Sequence, residues 1–330
     1  MSASRQGIYM RKLIVAASSV ALLSLSVAPA AADTPVAIAI IDSGFDSSQV
    51  ANNVVEEVCI ITSSRCNNYK SFDIGPGVAN TPNTISSRYL QDWNHGTEMA
   101  KVVVGENPNV NLVLIRNSKV YGSSVIPGNE SDMLLALDWV EQNASRYNIV
   151  AVSMSRGSHR YVTSNRQVSV LMGQIKIYQG MVDRLNAKGS RLAATLEKKL
   201  DELKAKLAAL GNIECPATDI LTNSIIDLQA SGVATIVATG NDADKTYVDY
   251  PACIDASVAV AAYDNTGELA YVSNIASNTD FVARGDTTSE ATARLAGIWS
   301  RVYNGSYNST YDLITNNGTN SHSWSAVFVR

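Results

Sequence analysis

The sequence predicts an α/β fold built on a mainly parallel sheet, and three observations carry that expectation. Five short apolar runs, at residues 36–41, 111–115, 149–153, 234–239 and 257–262, are continuous rather than alternating. Strands read this way when helices cover both faces of their sheet. Helical stretches separate the runs, the order that parallel pairing needs. The composition is globular, with 46% hydrophobic and 17% charged residues over 330 positions.

Taken in chain order, the run 36–41 is followed by Asp42, Ser43 and Gly44. A helix is expected at 96–105, directly after His95, and leads to the run 111–115. Ser131 reads as the N-cap of a helix at 131–144 with Leu134, Leu135 and Trp139 on its apolar face. After the run 149–153 the rhythm breaks. Val168, Leu171, Ile175, Tyr178, Val182 and Leu185 are spaced three and four apart. Leu192, Leu196, Leu200, Leu203, Leu207 and Leu210 continue the stripe, with Lys and Glu between them. Lys188-Gly189-Ser190 interrupts the pattern, so the reading is an inserted antiparallel pair of helices at about 160–213. Each would have about 20 residues and a length of about 30 Å. One long helix is the alternative. The stripe is either the seam between the helices or a face for a protein partner. A helix at 219–230 closes on Ser231-Gly232, and a last one is expected at 289–303.

The first 32 residues read as a signal peptide. Arg11 and Lys12 precede an apolar, Ser- and Ala-containing stretch, and Ala30-Ala31-Ala32 offers a cleavage site before Asp33. The stretch is short for a membrane span, so no stable membrane insertion is expected after signal removal. The remainder, 33–330, is expected to be one catalytic domain interrupted by the helical insert. Export implies an oxidising compartment, a periplasm or the medium. The four cysteines Cys59, Cys66, Cys215 and Cys253 then suggest two disulfides. A short Cys59–Cys66 loop with a longer Cys215–Cys253 bridge is one of three pairings. A zinc site is the rival reading, although there is no Cys-x-x-Cys pair. The formal charge of -4 has no basic stripe to offset it and argues against nucleic acid.

Three motifs bear chemistry. Asp42 begins Asp-Ser-Gly, His95 begins His-Gly-Thr, and Ser289 lies in Thr-Thr-Ser ahead of an apolar helix. A serine hydroxyl needs an imidazole to take its proton and a carboxylate to orient that imidazole. The chain has only 3 His, and His159 and His322 read as surface residues. Together with Ala238-Thr239-Gly240-Asn241 and Thr288-Ser289-x-Ala291 these motifs resemble those of the subtilisin-like serine peptidases. They stand in the same Asp, His, Ser order.

The resemblance implies a three-layer fold and hydrolysis of polypeptides, with Asp42, His95 and Ser289 as the triad and Asn241 as the oxyanion donor. It also implies a substrate-pairing segment through Ser153, Met154, Ser155, Arg156 and Gly157, and a specificity pocket bordered by Ala238, Thr239 and Gly240. Arg156 stands where relatives carry an apolar residue, and suggests a preference for acidic substrates. No catalytic metal or cofactor is required. Structural calcium is what the family adds as an option, with Asp73 and Asp92 as candidate ligands. Thr287 and Glu290 depart from the family pattern beside the nucleophile, and Glu98 stands where a second His is common. These departures support an alternative: a weak or inactive subtilase-like binding protein that uses the insert for partner recognition. A lipase or esterase is disfavoured because no Gly-x-Ser-x-Gly elbow carries the serine.

Overall fold

The computed structural model describes residues 35–62, 66, 70–82, 85, 93–121, 124–157, 166–186, 192–209, 215, 220–320 and 326–329. The signal peptide, Asp92, His159, His322 and the Lys188-Gly189-Ser190 break lie outside them. In chain order the elements are β1 Ala37–Asp42, β2 Val54–Ile60, β3 Phe72–Ile74, α1 His95–Glu106, β4 Asn111–Arg116, β5 Ser118–Tyr121, β6 Ser124–Pro127, α2 Glu130–Tyr147 and β7 Ile149–Met154. There follow α3 Arg166–Asn186, α4 Leu192–Ala209, α5 Ile220–Ala230, β8 Ala234–Ala238, β9 Val258–Tyr263, β10 Phe281–Arg284, α6 Thr288–Val302, α7 Tyr307–Asn317, β11 Thr319–Asn320 and β12 Val327–Val329.

The main sheet has the order β11-β12-β10-β9-β8-β7-β1-β4-β2-β3. Its inner pairs are parallel, and only the edge strands β3 and β11 run antiparallel to their neighbours. The continuous apolar runs are explained by two cores, one on each face. In β1, Ile38 and Ile40 join a core completed by α1 and α6, through Met99, Val103, Leu295 and Trp299. Ala37, Ala39 and Ile41 join the opposite core, completed by α2 and α5 through Leu137, Val140, Ile225 and Leu228. A strand buried on both faces has no use for polar residues, and each aliphatic side chain removed from water contributes about 1.5–3 kcal/mol.

The five expected strands match to within one residue. The helix expected at 131–144 starts earlier, and Ser131 is not its cap. Asn129 accepts from Asp132 N at 2.9 Å while Asp132 Oδ2 accepts from Asn129 N at 2.8 Å, a reciprocal box that leaves Ser131 inside the first turn. Leu135 is exposed, and Met133, Ala136 and Leu137 face the core instead. The strands β2, β3, β5, β6, β10 and β12 and helix α7 carry no strong periodic signal.

The insert forms two helices, α3 and α4, rather than one. Asn186 at the end of α3 bonds Glu197 near the start of α4 at 2.9 Å, and Tyr178, two turns earlier, lies within electrostatic reach of Lys199. Positions thus rise on one helix as they fall or stay level on the other, the antiparallel sense. Val182, Leu200 and Leu203 are buried in the seam, whereas Leu192 is 65% exposed.

Two disulfides form, Cys59–Cys66 and Cys215–Cys253. With all four sulfurs paired, the zinc alternative has no thiolate ligands. Among the described residues no group of three or more His, Cys, Asp or Glu side chains comes together. Asp73 sits on the edge strand β3, where its Oδ1 accepts from the adjacent Ile74 amide. No helix among them is long and apolar enough to cross a membrane.

Glycine decides one close approach in the first core. A Cβ on Gly297 of α6 would lie 2.6 Å from Glu106 Cβ and 2.8 Å from Val103 O of α1. Glu106 also ties the two helices together by pairing with Arg294 and Arg301. Gly105, in contrast, has open space around its Cβ position. Gly297→Ala is therefore expected to destabilise the protein by about 1–3 kcal/mol. Gly105→Ala should stabilise it by about 0.5–1 kcal/mol. Thermal or urea denaturation of the two variants checks both signs.

Candidate active site

Asp42 is the last residue of β1, at the carboxyl end of a central parallel strand, where crevices form in such sheets. It is buried to 8% exposure. Its Oδ1 accepts from Ser43 N at 2.6 Å and from His95 Nδ1 at 2.8 Å, and Oδ2 lies 3.0 Å from the same nitrogen. The imidazole is thereby held at its Nδ1 edge by Asp42. His95 is the first residue of α1, and the loop before it is pinned to the loop after β1. Ser43 Oγ donates to Trp93 O at 3.1 Å, Thr81 Oγ1 to Asn94 Oδ1 at 2.7 Å, and Asp46 N to Thr97 Oγ1 at 2.8 Å. Gly44 and Gly96 permit this closeness. A Cβ on Gly96 would fall 2.7 Å from the Phe45 ring and 2.8 Å from Gly44 O.

Ser289 is the second residue of α6, not its cap. Thr287 is the N-cap, and its side chain accepts from Glu290 N at 3.3 Å. The Ser289 hydroxyl is thus released from any capping duty, and among the described residues nothing hydrogen-bonds Ser289 Oγ. The N-terminus of α6 favours negative charge at this point. Asn241 lies in the loop after β8, and its Oδ1 accepts from both Thr288 N and Thr288 Oγ1 at 3.0 Å each. That pair of bonds leaves the Asn241 amide nitrogen as the group to face outward. The loop itself is fixed by Asn274, whose Oδ1 accepts from Asp242 N and Asp244 N at 2.9 Å each. Lys204 of the insert donates to Asp242 O at 3.1 Å, so α4 stands beside this loop.

His95, Asn241 and Ser289 line one open cavity of about 620 Å³, together with Glu98, Thr287 and Glu290. The two glutamates do not engage the imidazole. Glu98 pairs with Lys101 at 3.0 Å, and Glu290 bonds Asp286 N and Arg294.

The segment expected to pair with substrate begins inside the sheet. Ser153 and Met154 are fully buried in β7. Ser155 emerges beside the serine, donating from Oγ to Ser289 O at 3.3 Å. Arg156 does not turn to the cleft as the preference for acidic substrates requires. Its guanidinium donates to Gly128 O and is largely buried. Burial lowers its pKa to about 10, while Asp132 and Asp42 favour its charge. Ala238, Thr239 and Gly240 are buried too, and Thr239 spends its hydroxyl on Val260 O and Asn274 O. Gly240 has φ +108°, in the region that favours glycine. The sequence reading missed Asn274, the bonds of Thr288 to Asn241 and the Arg156 anchor. Each is a lone polar residue whose partner is distant in sequence, and no periodicity marks such a residue.

No curated protein sequence matches the chain. Among solved structures it is similar to a lanthipeptide protease, at TM-score 0.58 and 13% identity, with 89% of this chain and 85% of the other covered. It is similar to a protease from Pseudoalteromonas arctica at TM-score 0.60 and 16% identity, covering 90% and 89%. A cold-adapted subtilisin-like serine proteinase aligns at TM-score 0.53 and 18% identity, covering 89% and 87%. At such identities the likeness speaks for the fold. The family profile described as the Subtilase family matches residues 33–324, and on that match the chain belongs to the subtilases and is a serine-type peptidase acting on polypeptides.

Proposed function

We propose that Ser289, His95 and Asp42 act as a catalytic triad in an endopeptidase exported to a periplasm or the medium. The observation that carries this reading is the Asp42–His95 bond at the edge of the cavity that Ser289 also lines. His95 takes the proton of Ser289 as the hydroxyl attacks a peptide carbonyl, then delivers it to the leaving amine. Asp42 holds the tautomer and stabilises the imidazolium. The bond between hydroxyl and imidazole tightens when substrate fills the cleft, as such bonds commonly do. The oxyanion is held by the Asn241 amide and the Ser289 N–H at the start of α6. An extended substrate lies along Ser155 to Gly157, and its side chain enters between that segment and the segment from Ala238 to Gly240. Two disulfides and the signal-like first 32 residues support export.

A fluorophosphonate is expected to label the wild-type protein at Ser289 and not the Ser289→Ala variant, and peptide hydrolysis should vanish with the label. Folded protein that takes no label would favour the binding-protein alternative. Asn241→Ala should lower kcat by about 100- to 1,000-fold with little change in KM. Thr288→Val, which removes one of the two bonds orienting Asn241, should act in the same direction by roughly tenfold.

Helix α4 stands next to the Asn241 loop through Lys204, which supports a role for the insert in limiting access to the cleft. Replacing residues 160–213 by a short linker should raise cleavage of casein relative to a small chromogenic peptide. Equal changes in the two rates would rule the gate out.

A further inference from the structure

Strands β1 and β7 are paired neighbours, with Ile41 opposite Met154. Asp42 therefore leaves the sheet beside Ser155, and Arg156 follows at once. The Arg156 guanidinium turns to Gly128 O, just ahead of the Asn129 cap of α2. Gly128 is packed against Asn117 O and Asp132 Cβ, and Asn117 N donates to Asp42 O at 3.1 Å. The cation is thus anchored on residues that touch the backbone of Asp42, within the fields of Asp132 and Asp42.

Among the described residues neither carboxylate forms an ion pair with it. Its Nη1 is closed off from solvent with no hydrogen-bond partner. Asp132 is occupied otherwise. Its Oδ1 accepts from Thr62 N and Thr62 Oγ1 at 2.5 and 2.6 Å, and its Oδ2 from Asn129 N at 2.8 Å. A buried cation that no touching carboxylate cancels keeps a field that reaches its neighbours, because little water screens it. The neighbour that titrates near neutrality is His95, joined to Asp42 through Nδ1. The other charged groups around it, among the described residues, are spoken for. Glu98 and Lys101 of α1 pair with each other, and Glu290 of α6 pairs with Arg294. Arg116 stands opposite Asp42 in register but extends across to Cys59 Sγ of β2 at 3.2 Å.

We infer that Arg156 is a positioning residue for the acid–base chemistry: its charge, fixed beside Asp42, opposes the positive charge that His95 gains on protonation and so extends peptide hydrolysis to lower pH. The inference rests on Ser289, His95 and Asp42 acting as the triad. Only the neutral imidazole takes the serine proton. Asp42 draws a proton onto His95, and Arg156 offsets part of that pull. Without the cation the pull is whole. His95 then protonates at a higher pH and is lost as a base sooner as the pH falls.

The test uses the full chain and an uncharged chromogenic peptide, with kcat/KM followed down the acid limb of the pH profile and fluorophosphonate labelling run in parallel. In Arg156→Met the midpoint of that limb is expected to rise by about 0.5–1 pH unit, a loss of roughly three- to tenfold on the acid side. The labelling rate should follow the same limb. Arg156→Lys keeps a cation on the same backbone and should keep the wild-type midpoint. Where the methionine variant does not fold, Arg156→Gln serves, since its amide still donates to Gly128 O. A merely structural role would lower the rate of every variant at every pH and leave the midpoint in place. That result, or a lysine variant that shifts as far as the neutral one, overturns the inference and leaves the triad standing. Folded wild-type protein that neither labels nor cleaves overturns both.

Discussion

The hydrogen bond between the Asp42 carboxylate and His95 Nδ1 depends on a constraint set elsewhere, namely how closely the exit of β1 approaches the start of α1. That approach is permitted by two residues without side chains, Gly44 and Gly96, and fastened by the bonds of Ser43, Thr81 and Thr97. Behind it, the alternation of β1 between two cores keeps the strand from shifting, because a slip of one residue would exchange Ile38 and Ile40 with alanine positions. The chemistry at the rim is therefore positioned by packing that contains no chemistry of its own.

The same division holds at the serine. Helix α6 is buried along most of its length, and its N-terminus is capped by Thr287, so the helix needs nothing from Ser289. A residue two steps beyond the cap has its backbone N–H at the positive end of the helix and its hydroxyl released. Asn241 arrives from a different strand and is oriented by Thr288, the immediate neighbour of the serine. Oxyanion donor and nucleophile are thus coupled through one residue, and a shift of either loop moves both. Among the described residues the insert meets the surrounding loops through Lys204 on Asp242 O and through a bond between Gln179 and the Tyr271 hydroxyl.

Charge around the cleft is handled by enclosure as well as by pairing. Arg156, drawn inward to Gly128 and surrounded by the fields of Asp132 and Asp42, has become part of the scaffold. Glu290 is tied to Arg294 and Asp286, and Glu98 to Lys101.

Much of the framework was legible in the chain. The five apolar runs are long enough and continuous enough to mark strands buried on both faces. The apolar stripe from Val168 to Leu210, at spacings of three and four, marks helix, since its period survives whatever the surroundings. Short strands such as β3 and β12 were not legible, because three residues carry no period and their pairing is supplied by a neighbour. Capping shows the limit at the scale of single residues. Ser131 and Asn129 are both competent caps in sequence, and the choice fell to the one whose partner Asp132 could reciprocate. The inward turn of Arg156 and the double bond of Thr288 to Asn241 were decided only in three dimensions. Each joins residues far apart in the chain, and such a contact exists only after the sheet has set the distance between strand ends.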